Sequence, residues 1–314
     1  LIMQAKRNLQ LLVSLVILTS LCFVFIFLGN RSNTMEVDKD LFRVEDQTQI
    51  NKVVLESSGK QVELRYDGSK WVVNNSFEAD RQLVTVFFAT IMQAEPKRPV
   101  SEALQDSVNQ YIQRNGIHIK LLEGETVVKD FWASGNDRKT ETYFQLPGDK
   151  TPYMVTIPGY RVYVASIFEL TANDWREKRI FNFRWETFKT LKASFPKDPR
   201  EDFTISFKSQ YFGIDGLAEA DTTKLNDYLD AVSLINGVRF VSDGESRVYD
   251  SLLLTKPDFT ILVTDIANRT YQLEVFPPAV GEEAILGRLN RESPVVFNRK
   301  EIALISRKRS YFVR

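Results

Sequence analysis

The chain has 314 residues, 43% hydrophobic and 26% charged, which is enough to bury one or two cores without metals or cross-links. Its 41 Lys and Arg balance 41 Asp and Glu, so no overall charge draws it toward nucleic acid or an acidic lipid surface. A single cysteine, Cys22, excludes an intrachain disulfide, and a single histidine, His118, leaves the common zinc sites short of ligands, although a carboxylate-bound Mg or Ca site escapes this argument.

From Leu9 to Leu28 twenty residues pass without a charge, preceded by Lys6 and Arg7. At about 1.5 Å per helical residue they span about 30 Å, the thickness of a hydrocarbon core. Basic residues favour the cytoplasmic side, so the expectation is a single-pass anchor with the amino end inside and the rest outside. A cleaved signal peptide wants a shorter apolar run and an A-x-A-like site, which Leu28-Gly29-Asn30 does not offer. A lipoprotein signal wants a small residue where Leu21 precedes Cys22. Residues 1–33 are therefore read as cytoplasmic tip and transmembrane anchor, and the acidic, polar residues 34–49 as a spacer.

Beyond the spacer the chain repeats itself. QVELRYDGSKWVVNNSFEAD (residues 61–80) and DFTISFKSQYFGIDGLAEAD (residues 202–221) both begin with strand-like alternation, continue to an aromatic (Trp71, Phe212) and close on Glu-Ala-Asp. Each then gives a helical stripe, Val84, Phe87, Phe88 and Ile91 in one and Leu225, Tyr228, Leu229 and Val232 in the other. Asp80 and Asp221 stand at the N-cap of these helices. Both helices pass into an extended tail ending Val-Ser, at Val100-Ser101 and Val241-Ser242. Further matches follow in order: KVVLES (52–57) with TLKASF (190–195), IHIKLL (117–122) with FTILVT (259–264), TVVKDFW (126–132) with TYQLEVF (270–276), and PYMVT (152–156) with PVVFN (294–298). The predicted fold is α+β: two tandem homologous repeats, residues 50–170 and 188–314, each two strands, a helix and several strands in largely antiparallel sheet. Residues 171–187, dense in charge and aromatics, are predicted to be a packed connector.

Candidate chemistry is thin. His118 alternates away from Ile117, Ile119 and Leu121, which makes it a solvent-side strand residue and not a catalytic base. Asp80 and Asp221 form a symmetric carboxylate pair in principle, but capping accounts for both. WREKR (175–179) and RKR (307–309) read as solvated charge runs. Asn30, Asn74 and Asn268 begin glycosylation sequons. No nucleophile elbow, P-loop, dinucleotide fingerprint or HExxH occurs, so no catalytic, cofactor or metal residue is assigned and no cofactor is expected.

KRNLQLLVSLVIL at the start, the unit VELRYDGSKWVVNNSFEADRQLVTVFFATI, and PGYRVYVASIFELTANDWREKRIF together resemble a bacterial family of membrane-anchored proteins of unknown function. Many of its members are encoded beside gliding-motility-type ABC transporters. The resemblance implies an inner-membrane protein with a periplasmic body, lipid contact through its first helix, and an ABC permease or auxiliary subunit as partner. It implies an accessory envelope protein and supplies no active site, and the function expected of the chain is a non-enzymatic binding or scaffolding role. The alternative is an envelope hydrolase using an unrecognised carboxylate pair in the cleft between the repeats. A plain spacer differs from the first reading in lacking a binding cleft.

Overall fold

Strand-like alternation in the sequence resolves into two antiparallel sheets, seen in a computed structural model that describes residues 12–24, 37–44, 46–181, 183, 185–208, 211–278 and 284–314. The first sheet contains β1 (Lys52–Ser57), β2 (Lys60–Tyr66), β3 (Trp71–Val73), β4 (Phe77–Glu78), β5 (Glu95–Pro99), β6 (Ile117–Glu123), β7 (Thr126–Gly135), β8 (Thr142–Gln145) and β9 (Tyr153–Thr156). The second contains β10 (Phe188–Ser194), β11 (Phe203–Lys208), β12 (Tyr211–Ile214), β13 (Arg239–Phe240), β14 (Phe259–Asp265), β15 (Thr270–Val275), β16 (Ala284–Leu289) and β17 (Ser293–Asn298). Apart from β4, the two run in the same order: β3-β2-β1-β6-β7-β8-β9-β5 and β12-β11-β10-β14-β15-β16-β17-β13.

Helices cover these sheets. α2 (Arg81–Gln93) buries Val84, Phe87, Phe88 and Ile91, and α5 (Thr222–Ser233) buries Leu225, Tyr228, Leu229 and Val232. These are the two stripes read from the sequence. Asp80 accepts from the backbone N–H of Gln82 and Leu83, and Asp221 from those of Thr223 and Lys224. Tyr228 is fully buried, and its hydroxyl finds no hydrogen-bond partner among the described residues. Burial also drives its titration upward. An unpaired buried hydroxyl costs about 1–3 kcal/mol. Tyr228→Phe is therefore expected to raise the midpoint of urea unfolding, by about 1 kcal/mol of stability; a lower midpoint would mean that the hydroxyl is paired.

The extended tail expected after each first helix is present, as β5 before Val100-Ser101 and β13 before Val241-Ser242. The repeat read as a single helix followed by strands needs correction: a second helix follows each tail, α3 (Glu102–Asn115) and α6 (Asp243–Leu253). The apolar face of α3 is thin, with Ile112 its one buried residue. Neither Ser101 nor Ser242 makes a side-chain cap bond. Between α3 and α6 lies the single turn α4 (Ala172–Trp175), and α7 (Arg299–Ile305) follows β17.

At the amino end, α1 (residues 12–24) is the described part of the expected anchor. Lys6, Arg7, positions 9–11 and 25–28, and Asn30 lie outside the described residues. Thirteen helical residues reach about 20 Å, and among the described residues no helix is long and apolar enough to cross a membrane.

The segment between the sheets joins both. On one side, Asp80 N–H donates to Trp175 O (2.8 Å) and Glu177 N–H to Glu78 O (2.8 Å). On the other, Gly237 N–H donates to Lys178 O (2.8 Å) and Ile180 N–H to Ile235 O (3.1 Å). Trp175 belongs to the first core, Ile180 and Phe181 to the second.

Candidate functional site

Arg176 occupies the seam, and its surroundings are unusual for a cation. It is buried, with its guanidinium 3.6 Å from the ring centre of Phe77 on β4 and 3.5 Å from that of Phe240 on β13. A guanidinium between two aromatic faces is held by the negative faces of both rings. It donates to Ser293 Oγ (3.0 Å) and, at a longer 3.4 Å, to Asn173 Oδ1. No ion pair is formed by Arg176 among the described residues. Burial pulls the guanidinium down to about 10, which keeps it charged at neutral pH. The sequence reading of WREKR as a solvated run is corrected here: Trp175 and Arg176 are interior residues.

His118 is half-buried on the face of the first sheet away from the core. Its ring stacks on Trp132, centroids 4.4 Å apart and planes within 4°, and Nε2 lies 2.6 Å from Asp130 Oδ1. Glu56 Oε2 sits 3.5 Å from Nδ1 and is shared with Lys120. The strand parity was legible; the stacking that covers the ring was not. Asp80 and Asp221 are each engaged in capping, as expected.

A third place is a cleft of about 370 Å³ on the second sheet, which no motif announces. Phe195, Phe259, Ile285 and Ile302 line its apolar part, and Lys197, Arg299 and Lys308 its rim. These residues come from four separated segments, so sequence spacing gave no signal for it. Of the RKR run, Lys308 faces the cleft, Arg309 donates to Gly216 O (2.7 Å), and Arg307 lies 4.8 Å over the Tyr311 ring.

Four carboxyls among the described residues are displaced downward. Thr48 donates to Asp46, the Lys70 and Ser69 backbones to Asp67, and the Arg239 guanidinium to Glu245. In Asp265 burial works upward but is outweighed by hydrogen bonds from the Arg269 backbone and side chain. A general acid at neutral pH needs the opposite displacement. Among the described residues no group of three or more His, Cys, Asp or Glu is placed to hold a metal ion.

A family described as "Domain of unknown function (DUF4340)" matches residues 71–251, more than half of the chain, from β3 into α6 and across the Arg176 seam. No curated protein and no solved structure matches the chain.

Proposed function

The chain belongs to the DUF4340 family, and we propose that it is a non-enzymatic, membrane-tethered binding and scaffolding protein of the bacterial envelope, accessory to an ABC-type transporter of the gliding-motility kind. Geometry supports the tether and the binding body; the sequence resemblance alone supports the transporter. One observation carries the tether. All nine large apolar side chains of α1, from Leu12 to Val24, are at least half exposed. A helix that is apolar all round needs a protein core or a lipid core, and burial of each such side chain is worth about 1.5–3 kcal/mol.

The body suits attachment better than turnover. Its two sheets read as products of one duplicated segment, a view supported by the shared strand order and by matching backbone bonds, Val100 N–H to Pro152 O and Val241 N–H to Pro294 O. The seam is filled by Trp175 and Arg176. Binding options lie at the cleft and at the sheet edges, where β12 carries the exposed Tyr211 and offers backbone for strand addition.

Purification from mild detergent tests the reading. Recovery of an ABC permease or its auxiliary subunit with the full chain, lost when α1 is replaced by a polar helix, is the expected result. A chain that runs alone at every detergent strength removes the transporter assignment, and one that stays in the aqueous fraction without detergent removes the tether.

A further inference from the structure

We propose that the cleft on the second sheet binds a linear amphiphile with an anionic head, an apolar tail lying against Phe195, Phe259 and Ile285 and a carboxylate or phosphate held at the rim. The volume of about 370 Å³ falls within the range of small-molecule sites. At about 30 Å³ per water-sized group it admits a chain of about ten to twelve heavy atoms. Its apolar floor is built from side chains at most 6% exposed: Phe195, Phe259, Ile285 and Ile302.

The rim selects the sign of the head. Both of its carboxylates are already matched, Asp258 by Lys197 at 2.5 Å and Asp198 by Arg200 at 3.1 Å. Arg299 and Lys308 also line the cleft, and neither makes an ion pair among the described residues. Arg299, Ile302, Ala303 and Ser306 follow helical spacing along α7, so one face of that helix forms a wall with its cation at one end.

The first sheet shows that this fold does not require an opening here. Thr142 pairs with Val155 as Ile285 pairs with Phe297. Around Thr142 the corner is closed: its hydroxyl accepts from the buried Ala165 N–H at 3.1 Å, and the Tyr163 ring lies so close over Gly135 that an added Cβ would stand 1.9 Å from the hydroxyl. In the second sheet α7 follows the corresponding strand and leaves a cleft. The proposal is independent of the transporter reading, since photolabelling of the cleft and recovery of a permease are separate results.

A free fatty acid and a membrane lipid offer the same chemistry. The test therefore exposes the full chain in mild non-ionic detergent to a diazirine-bearing decanoate, a diazirine-bearing phosphatidic acid and a decyl-trimethylammonium probe, with adducts mapped by mass spectrometry. Labelling of residues 195–198 and 299–308 by an anionic probe, at least fivefold over the cationic one, is expected. It should fall at least fivefold in Ala303→Trp, which fills the cleft, and in the Arg299→Gln, Lys308→Gln double variant, both of which change exposed positions. Label from decanoate alone assigns a free acid, and label from phosphatidic acid assigns a lipid. Equal labelling by the cationic probe, labelling confined to α1, or no loss in Ala303→Trp would overturn the proposal.

Discussion

Arg176→Ala is expected to lower the stability of the protein by about 2–4 kcal/mol and to separate the unfolding of the two sheets into distinct transitions. The guanidinium touches three parts of the chain at once: Phe77 of the first sheet, Phe240 of the second, and Ser293 on β17. Each cation–π contact is worth about 0.5–2 kcal/mol, and a hydrogen bond from a charged donor about 1.5–3 kcal/mol. Against these stands the cost of holding a charge out of water without an anion. Truncation to Ala loses the contacts, regains that cost, and opens a void between two rings. Arg176→Met keeps the volume and removes the charge, so its loss should stay below about 1.5 kcal/mol. Arg176→Lys should behave more like Ala, because an ammonium has no plane to stack between Phe77 and Phe240. Calorimetry on the three variants checks the order. If Met is as damaging as Ala, the charge itself holds the seam; if all three leave one unchanged transition, the backbone bonds of residues 175–180 couple the sheets without it.

What the sequence disclosed and what it hid follow from how local each signal is. Alternation along Val53 and Leu55, or Ile117, Ile119 and Leu121, is set by the pleat and survives any tertiary arrangement. The Asp80 and Asp221 caps depend on N–H groups two and three residues away. Such features were legible, and so was the order of the two halves. The helices α3 and α6 escaped because their contact with the sheets is slight: Ile112 for the first, and Tyr249, Leu252 and Leu253 beside Phe276 for the second. The propensity clues, Ser101-Glu102 at one end of α3 and Gly116 at the other, were present but sat between two stronger strand patterns. Arg176 was hidden for a different reason. Nothing in WREKR distinguishes the arginine that enters the seam from Arg179, which stays exposed. Its environment is made by Phe77 and Phe240, each distant in sequence. The cleft is the extreme case, since its floor and its cations meet through topology alone.

Phe312→Ala should cost about 3–5 kcal/mol, and the loss should be confined to the second sheet and its helices. Phe312 is fully buried, with ring contacts to Phe203 at 5.1 Å and to Tyr228 at 5.3 Å. Its carbonyl accepts the Asp221 N–H at 2.9 Å, immediately before α5, and Ala220 bridges to Val313. Trp175 does the same for the first half: its carbonyl accepts the Asp80 N–H before α2, and Ala79 bridges to Arg176. Each helix entry is thus fastened by an aromatic arriving from later in the chain. Removing the Phe312 ring leaves the Trp175 fastening intact, so amide exchange should quicken across Thr222–Ser233 while Arg81–Gln93 keeps its protection. Equal loss of protection in both helices of the single variant would mean that the two sheets open as one cooperative unit, and the separate-fastening argument would fail.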